Sequence, residues 1–210
     1  SAPGFTNVSV IVAAYQAAGT IERTLASIAA QTLKPREVVV VDDGSDDGTF
    51  EAAKALGPDM NGIKLRVLRT ETNQGPGAAR NRAIKESTGD FLAFLDADDK
   101  WLPEKLERTM PHLESGDYCF VAHDYLTGDG GNSVHHDCTR RFQESDDPFV
   151  NLYRKGYVAS SSVVARRETV LAAGGYDPTL PNAQDFDLWL AMTRSPYTRF
   201  LVFGEALLHY

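Results

Sequence analysis

The 210-residue chain is 42% hydrophobic and 24% charged, which fits a folded domain with a sizeable core and excludes an intrinsically disordered segment. The formal net charge of -8 argues against a nucleic-acid partner, which would need a basic face. Cys119 and Cys138 are the only cysteines, so a disulfide framework and a thiolate zinc site are not expected, and reduced thiols in the cytoplasm are. No apolar stretch approaches the roughly 20 residues that span a bilayer, and no apolar leader precedes Val8.

Val8–Val12 is rich in β-branched residues and reads as a first strand. Thr20 is placed to cap a helix running to about Gln31, with Ile21, Leu25 and Ile28 on one face. Val38–Val41 is a second buried strand, stopped by Asp42-Asp43-Gly44-Ser45. Asp47 or Thr49 opens a helix that ends near Gly57-Pro58, and Lys64–Leu68 follows as a third strand. Gly75-Pro76-Gly77 leads into a helix over about Ala78–Ser87. Phe91–Leu95 is a fourth strand. Strands alternating with helices and buried on both faces predict an α/β fold with a Rossmann-like, mostly parallel sheet.

The pattern changes after Asp99. Pro103 fits the first turn of a helix ending near Leu113, and Tyr118–Tyr125 reads as a strand. The segment from Thr127 to Pro148 is polar and Gly-rich, with a turn at Asp129-Gly130-Gly131-Asn132, and is expected to be mobile or to form a lid. Ala159–Ala165 is expected as a strand, Glu168–Ala173 as a short helix ending at Gly174-Gly175, Phe186–Thr193 as an amphipathic helix, and Arg199–Phe203 as a last strand.

Asp96-Ala97-Asp98-Asp99 directly follows the fourth strand. Residues two apart on a strand share a face, so Asp96 and Asp98 present carboxylates to one point if the extended geometry persists. Hard oxygen ligands there suit Mg²⁺ or Mn²⁺ holding a phosphate. The loops Ala13-Ala14-Tyr15, Asp42-Asp43-Gly44-Ser45 and Asn73-Gln74-Gly75-Pro76-Gly77 end on the same sheet edge, where open α/β sheets bind ligands. Together they offer a stacking ring, an acceptor for a base N–H, flexible backbone and a metal clamp, which suits a nucleoside diphosphate. Each piece also has an ordinary structural explanation: Tyr15 packing on the next helix, Asp43 making a turn, the glycines starting a helix.

These motifs, with Arg80-Asn81, Gly174-Gly175-Tyr176-Asp177 and Gln184-Asp185-Phe186-Asp187-Leu188-Trp189-Leu190, resemble the ordered motifs of family 2 glycosyltransferases over essentially the whole chain. The resemblance implies the A-type glycosyltransferase fold: one domain over 1–210, with a nucleotide-sugar-binding half at about 5–99 and a less regular acceptor-binding half at about 100–210. It implies an inverting, metal-dependent transfer of a sugar from a nucleotide-diphosphate donor, a UDP-sugar by default, to a hydroxyl of a glycan or lipid-linked saccharide. The expected setting is cell-envelope or exopolysaccharide synthesis, with peripheral contact at the inner face of the membrane if the acceptor is lipid-linked. By the same resemblance, Tyr15 stacks on the base, and the Ala13-Ala14 backbone lines that pocket. Asp43 accepts the base N–H, with Asp42 the weaker candidate. Gly75, Arg80 and Ala97 border the nucleotide, and Asp96 contacts the ribose or the donor sugar. Asp98 binds Mn²⁺ or Mg²⁺, and Asp185 is the general base. Many family members carry Glu at the position of Gln184. Members also often continue past Tyr210 with an Arg and a His that close over the diphosphate; without them the chain is either a catalytic core cut short or lacks part of its donor lid.

Three other readings fit parts of the sequence. A haloacid-type phosphatase also has Asp-x-Asp after an apolar strand, but on its first strand and with Thr or Val close behind; here three strands precede and Asp99-Lys100 follow. A calcium loop at Asp43 to Lys54 lacks the bidentate Glu at its last position. A non-catalytic nucleotide-sugar-binding module is the serious rival; it would keep Tyr15, Asp43 and Asp98 but not a working base. Alone, Asp185 also reads as a helix N-cap, with Asp187 complementing the dipole.

Overall fold

The computed structural model describes residues 3–144 and 146–210. In chain order the strands are β1 (Phe5–Ala14), β2 (Lys34–Asp42), β3 (Lys64–Arg69), β4 (Phe91–Phe94), β5 (Lys100–Trp101), β6 (Tyr118–Thr127), β7 (Val134–His136), β8 (Val164–Arg166) and β9 (Arg199–His209). The helices are α1 (Ile21–Ala29), α2 (Thr49–Lys54), α3 (Pro76–Glu86), α4 (Lys105–Ser115), α5 (Cys138–Gln143), α6 (Pro148–Lys155), α7 (Arg167–Ala172) and α8 (Gln184–Thr193). The strands form one sheet in the order β3-β2-β1-β4-β8-β6-β9-β5, with β7 paired to β6.

The first half is the parallel unit expected: β1 pairs β2 and β4, and β2 pairs β3, all parallel. The apolar runs explain it. Val38 and Val40 face one layer and Val39 and Val41 the other, so every residue of the run is buried. One layer packs α1, α2 and α4 through Ile21, Leu25, Ile28, Leu106 and Met110. The other packs α3, α7 and α8 through Ala79, Ala83, Val170, Leu188 and Trp189. Fully burying each large aliphatic side chain contributes about 1.5–3 kcal/mol. The second half is mixed: β8 lies antiparallel between β4 and β6, while β6 and β9 are parallel.

Several expectations are corrected. Thr20 precedes α1 but does not cap it: its hydroxyl donates to the carbonyl of Ala97, and the helix ends at Ala29. Ser160–Ser162 forms a 3-10 turn, so the strand expected from Ala159 shrinks to Val164–Arg166. The last strand runs to His209, six residues beyond Phe203. The polar segment 127–148 contains β7, which pairs with the end of β6, and α5; Ser145 within it lies outside the described residues. Asp124 organises that segment, accepting from His135 Nε2 at 2.7 Å and from the amide and hydroxyl of Thr139 at 2.9 Å each. Cys119 and Cys138 are unpaired and buried.

Candidate active site

The C-terminal ends of β1, β2 and β4 lie side by side, and the loops that leave them are fastened to one another. After β1, the Gln16 amide donates to Ser45 Oγ at 2.9 Å, and its side chain exchanges hydrogen bonds with Asp46. Tyr15, beside this junction, is 54% exposed. After β2, Asp42 and Asp43 are both buried. Asp42 accepts from the Ser45 hydroxyl and lies 3.6 Å from the Arg69 guanidinium. Asp43 accepts from the Thr70 hydroxyl at 3.0 Å, from the Gln74 amide at 2.9 Å and, through Oδ2, from the Gly75 amide at 2.8 Å. Its carboxylate therefore shapes the loop that opens α3. Gly75 has φ +96, a conformation that favours glycine.

Asp96, Asp98 and Asp99 come together through a turn. Extended geometry stops at Phe94, and the Asp99 amide bonds back to the Asp96 carbonyl at 3.1 Å. Alternation along a strand therefore does not pair Asp96 with Asp98, and the turn brings in Asp99, which sequence reasoning gave no role. α1 holds the turn from behind: the Thr24 hydroxyl bonds the carbonyls of Ala97 and Asp99 at 2.9 and 2.7 Å, and Arg23 bonds that of Asp98 at 3.1 Å.

Each of the three carboxylates offers an oxygen, and these oxygens lie within 4.8 Å of one another. Burial pushes the Asp99 carboxyl up to about 7, against the lowering hydrogen bond from Ser161, and the charges of Asp96 and Asp98 add to the rise. Asp96 is also raised by burial, opposed by Arg80, whose guanidinium is 2.9 Å away. Three mutually repelling hard-oxygen donors, opposed by Arg80 at Asp96 and by the charge of Arg23 at Asp99, fit Mg²⁺ or Mn²⁺.

Arg80 lies over the Tyr176 ring at 5.3 Å. Asn81 fixes that ring's backbone, donating to the Tyr176 carbonyl at 2.8 Å and accepting from its amide at 2.9 Å. The neighbouring Gly175 has φ +70, and a Cβ there would meet Asn81 Oδ1 at 2.8 Å. Burial holds the Tyr176 phenol well above its usual range, and its hydroxyl has no hydrogen-bond partner among the described residues.

Asp185 lies inside α8 and is not its N-cap; Ala183 precedes the helix with φ +55. Asp185 Oδ2 accepts from the Ser160 hydroxyl at 2.6 Å. Gln184 is buried against Gly77, and its Oε1 has no hydrogen-bond partner among the described residues. Trp189 is core, in edge contact with Phe94 at 5.5 Å. A cavity of about 500 Å³ has Asp96, Asp185, Ser160, Tyr125, His136, Arg141 and Tyr210 among its lining residues. Tyr125 and His136 stack at 4.5 Å. Of the expected residues, Asp96 and Asp185 share this cavity, whereas Tyr15 and Asp43 lie outside its lining. Ser160 and Ser161 are not among the expected residues, and Tyr176 is expected only as part of a motif, without a role; a run of three serines inside an apolar segment was the available signal for the first two.

The sheet, with its loop carboxylates and the second half built over its edge, is the A-type glycosyltransferase fold. Solved structures agree with it. Staphylococcus aureus TarS 1-349, determined with UDP-GlcNAc, matches 97% of this chain and 58% of its own with TM-score 0.78 and 26% identity. A Pyrobaculum calidifontis mannosyltransferase, in complex with GDP-Man and Mn2+, matches 97% of this chain and 56% of its own at TM-score 0.76 and 22% identity, a likeness of fold. The family model for glycosyl transferase family 2 matches residues 9–172, and the chain belongs to that family. Among curated relatives, the amylovoran biosynthesis glycosyltransferase AmsB of Erwinia amylovora is 28% identical over 96% of this chain and 68% of its own length. The putative teichuronic acid biosynthesis glycosyltransferase TuaG of Bacillus subtilis is 29% identical over 92% of this chain and 74% of its own. The chain spans 54% of another relative, an uncharacterized Nostoc glycosyltransferase, and 59% of TarS 1-349. No helix among the described residues is long and apolar enough to cross a membrane.

Proposed function

We propose that the chain transfers a sugar, with inversion, from a nucleoside-diphosphate donor to a hydroxyl of a glycan or lipid-linked saccharide in envelope or exopolysaccharide synthesis. The observation that carries this is one cavity lined by both Asp96, from the acidic turn, and Asp185, from α8. A leaving-group side and a proton-accepting side facing one space is what a single displacement needs. UDP is the proposed nucleotide, supported by the likeness to TarS, which was solved with UDP and UDP-GlcNAc.

In this reading Tyr15 stacks on the base, and the remaining lone pair of Asp43 Oδ2 accepts its N–H. Asp98, with Asp96 and Asp99 beside it, holds Mn²⁺ or Mg²⁺. When bound, the ion supplies Lewis-acid stabilisation of the departing diphosphate. Arg80 neutralises Asp96 and fixes its rotamer. Asp185 keeps Oδ1 without a partner among the described residues, ready for the acceptor hydroxyl. The acceptor's O–H proton passes to Asp185 as its oxygen bonds the anomeric carbon. The bond from that carbon to the diphosphate breaks, and its electrons leave with the nucleoside diphosphate.

Calorimetric titration with UDP, GDP, dTDP and CDP, with and without Mn²⁺, tests the donor site. UDP is expected to bind only with Mn²⁺, and Asp98→Ala is expected to remove that metal-dependent binding. Binding of no nucleotide, or binding indifferent to both Mn²⁺ and Asp98→Ala, would overturn the reading.

A further inference from the structure

The Ser160–Ser162 turn is fixed from behind and reaches forward with its side chains. Its backbone bonds run from the Ser162 amide to the Ala159 carbonyl and from the Val163 amide to the Ser160 carbonyl, both at 3.0 Å. Trp101 Nε1 donates to the Ser161 carbonyl at 2.8 Å, and Lys105 Nζ donates to that of Ser162. Ser161 and Ser162 are buried. The Phe94 amide bonds the Val163 carbonyl at 3.1 Å, so the turn leaves in register with the strand that ends at the acidic turn.

Forward, Ser161 Oγ donates to Asp99 Oδ2 at 2.6 Å and accepts from the Asp96 amide at 3.0 Å. Its neighbour Ser160 donates to Asp185 Oδ2 at 2.6 Å and lines the cavity. One peptide unit thus separates the anchor of the acidic turn from the hydroxyl that holds Asp185. The two carboxylate sites belong to different halves of the chain, yet their spacing is tied through adjacent residues.

We propose that Ser160 is a positioning residue for Asp185: its hydroxyl occupies Oδ2, orients the carboxylate and leaves Oδ1 as the atom that takes the acceptor's proton. This rests on the reading of Asp185 as the base. The hydrogen bond is the one Ser160's side chain makes among the described residues, and the turn's own bonds are backbone, so an alanine keeps the turn and loses the orientation. A misoriented base slows the chemical step without weakening donor binding.

The test compares wild type, Ser160→Ala, Ser160→Thr and Asp185→Asn. It uses Mn²⁺-dependent nucleotide release from UDP-glucose, UDP-N-acetylglucosamine and GDP-mannose with water as acceptor, together with UDP calorimetry and thermal melting. Ser160→Ala is expected to lower kcat about 10- to 100-fold, the range for a hydrogen bond to a charged group. Donor KM, UDP affinity and melting temperature stay at wild-type values, and Ser160→Thr restores kcat. An inactive Asp185→Asn beside a fully active Ser160→Ala overturns this inference alone. A fall in UDP affinity or melting temperature in Ser160→Ala, unrescued by threonine, makes Ser160 structural and also overturns it. An active Asp185→Asn, or a wild type inert toward all three donors, sinks the base reading and this inference with it.

Discussion

Buried carboxylates in this chain take opposite protonation behaviour from their neighbours. Asp99 sits with two other acids and is driven toward its neutral form. Glu37, at the far end of the sheet, is also buried, and burial works against its ionisation. That effect is outweighed by hydrogen bonds from the Thr88 and Ser9 hydroxyls and the Thr88 amide, and by the charge of Arg66, so its carboxyl lies below the ordinary value. All three hydrogen bonds end on Oε2, at 2.6–2.8 Å, and join β1, β2 and the turn before β4. A lowered folded value means that the ionised form stabilises the fold above the unfolded pKa of about 4.3, and that this is lost as pH falls through the folded value. Glu37→Gln keeps the acceptor and removes the charge. It is expected to cost about 1 kcal/mol at pH 7, with the deficit closing below about pH 4. Thermal melts of both proteins at pH 7 and pH 3 check this; equal melting at pH 7 would sink it.

Loops, more than strands, make the site, and they were the harder part to read. The apolar runs at Val8, Val38 and Phe91 announced buried parallel strands because period and composition agree there. The same runs said nothing about how Asp96 meets Asp98. Asp-x-Asp reads as one face of an extended chain, but Thr24 and Arg23 capture the carbonyls that follow and bend it into a turn. The Ser160–Ser162 turn was lost in a similar way: Ala159–Ala165 reads as a strand, while the serine hydroxyls divert the chain to side-chain partners. Gly44 is the clearest loop-to-loop constraint. It has φ +78, and a Cβ there would stand 2.9 Å from the backbone of Thr72 and Asn73. Gly44→Ala should destabilise by about 2 kcal/mol or more and displace the loop that Asp43 organises, weakening UDP binding. Unchanged melting and UDP affinity would show that the two loops move freely past each other.

At the scale of the molecule, the division into a nucleotide-binding half at 5–99 and an acceptor-binding half at 100–210 is proposed as a division of chemical labour. The hydrogen bonding does not respect it. β8 pairs with β4 of the first half and β6 of the second, and the Ser160–Ser162 turn precedes it. The parallel half was legible chiefly because β1, β2 and β4 carry continuous apolar stretches. In the mixed half β6, β9 and the helices α4, α7 and α8 were legible, but β5, β7 and β8 are two or three residues long and take their direction from the sheet they join. For anyone recombining such enzymes, that sheet sets the allowed crossovers. A chimera spliced at residue 99 separates β4 from the β8 it evolved with and is expected to come out insoluble or with a depressed melt. One that exchanges only 128–136, whose strand β7 hydrogen-bonds to β6 alone, should fold, as soluble yield and a cooperative melt would show. That hairpin can therefore be exchanged piecemeal, while the spacing between the acidic turn and Asp185 is inherited as one piece.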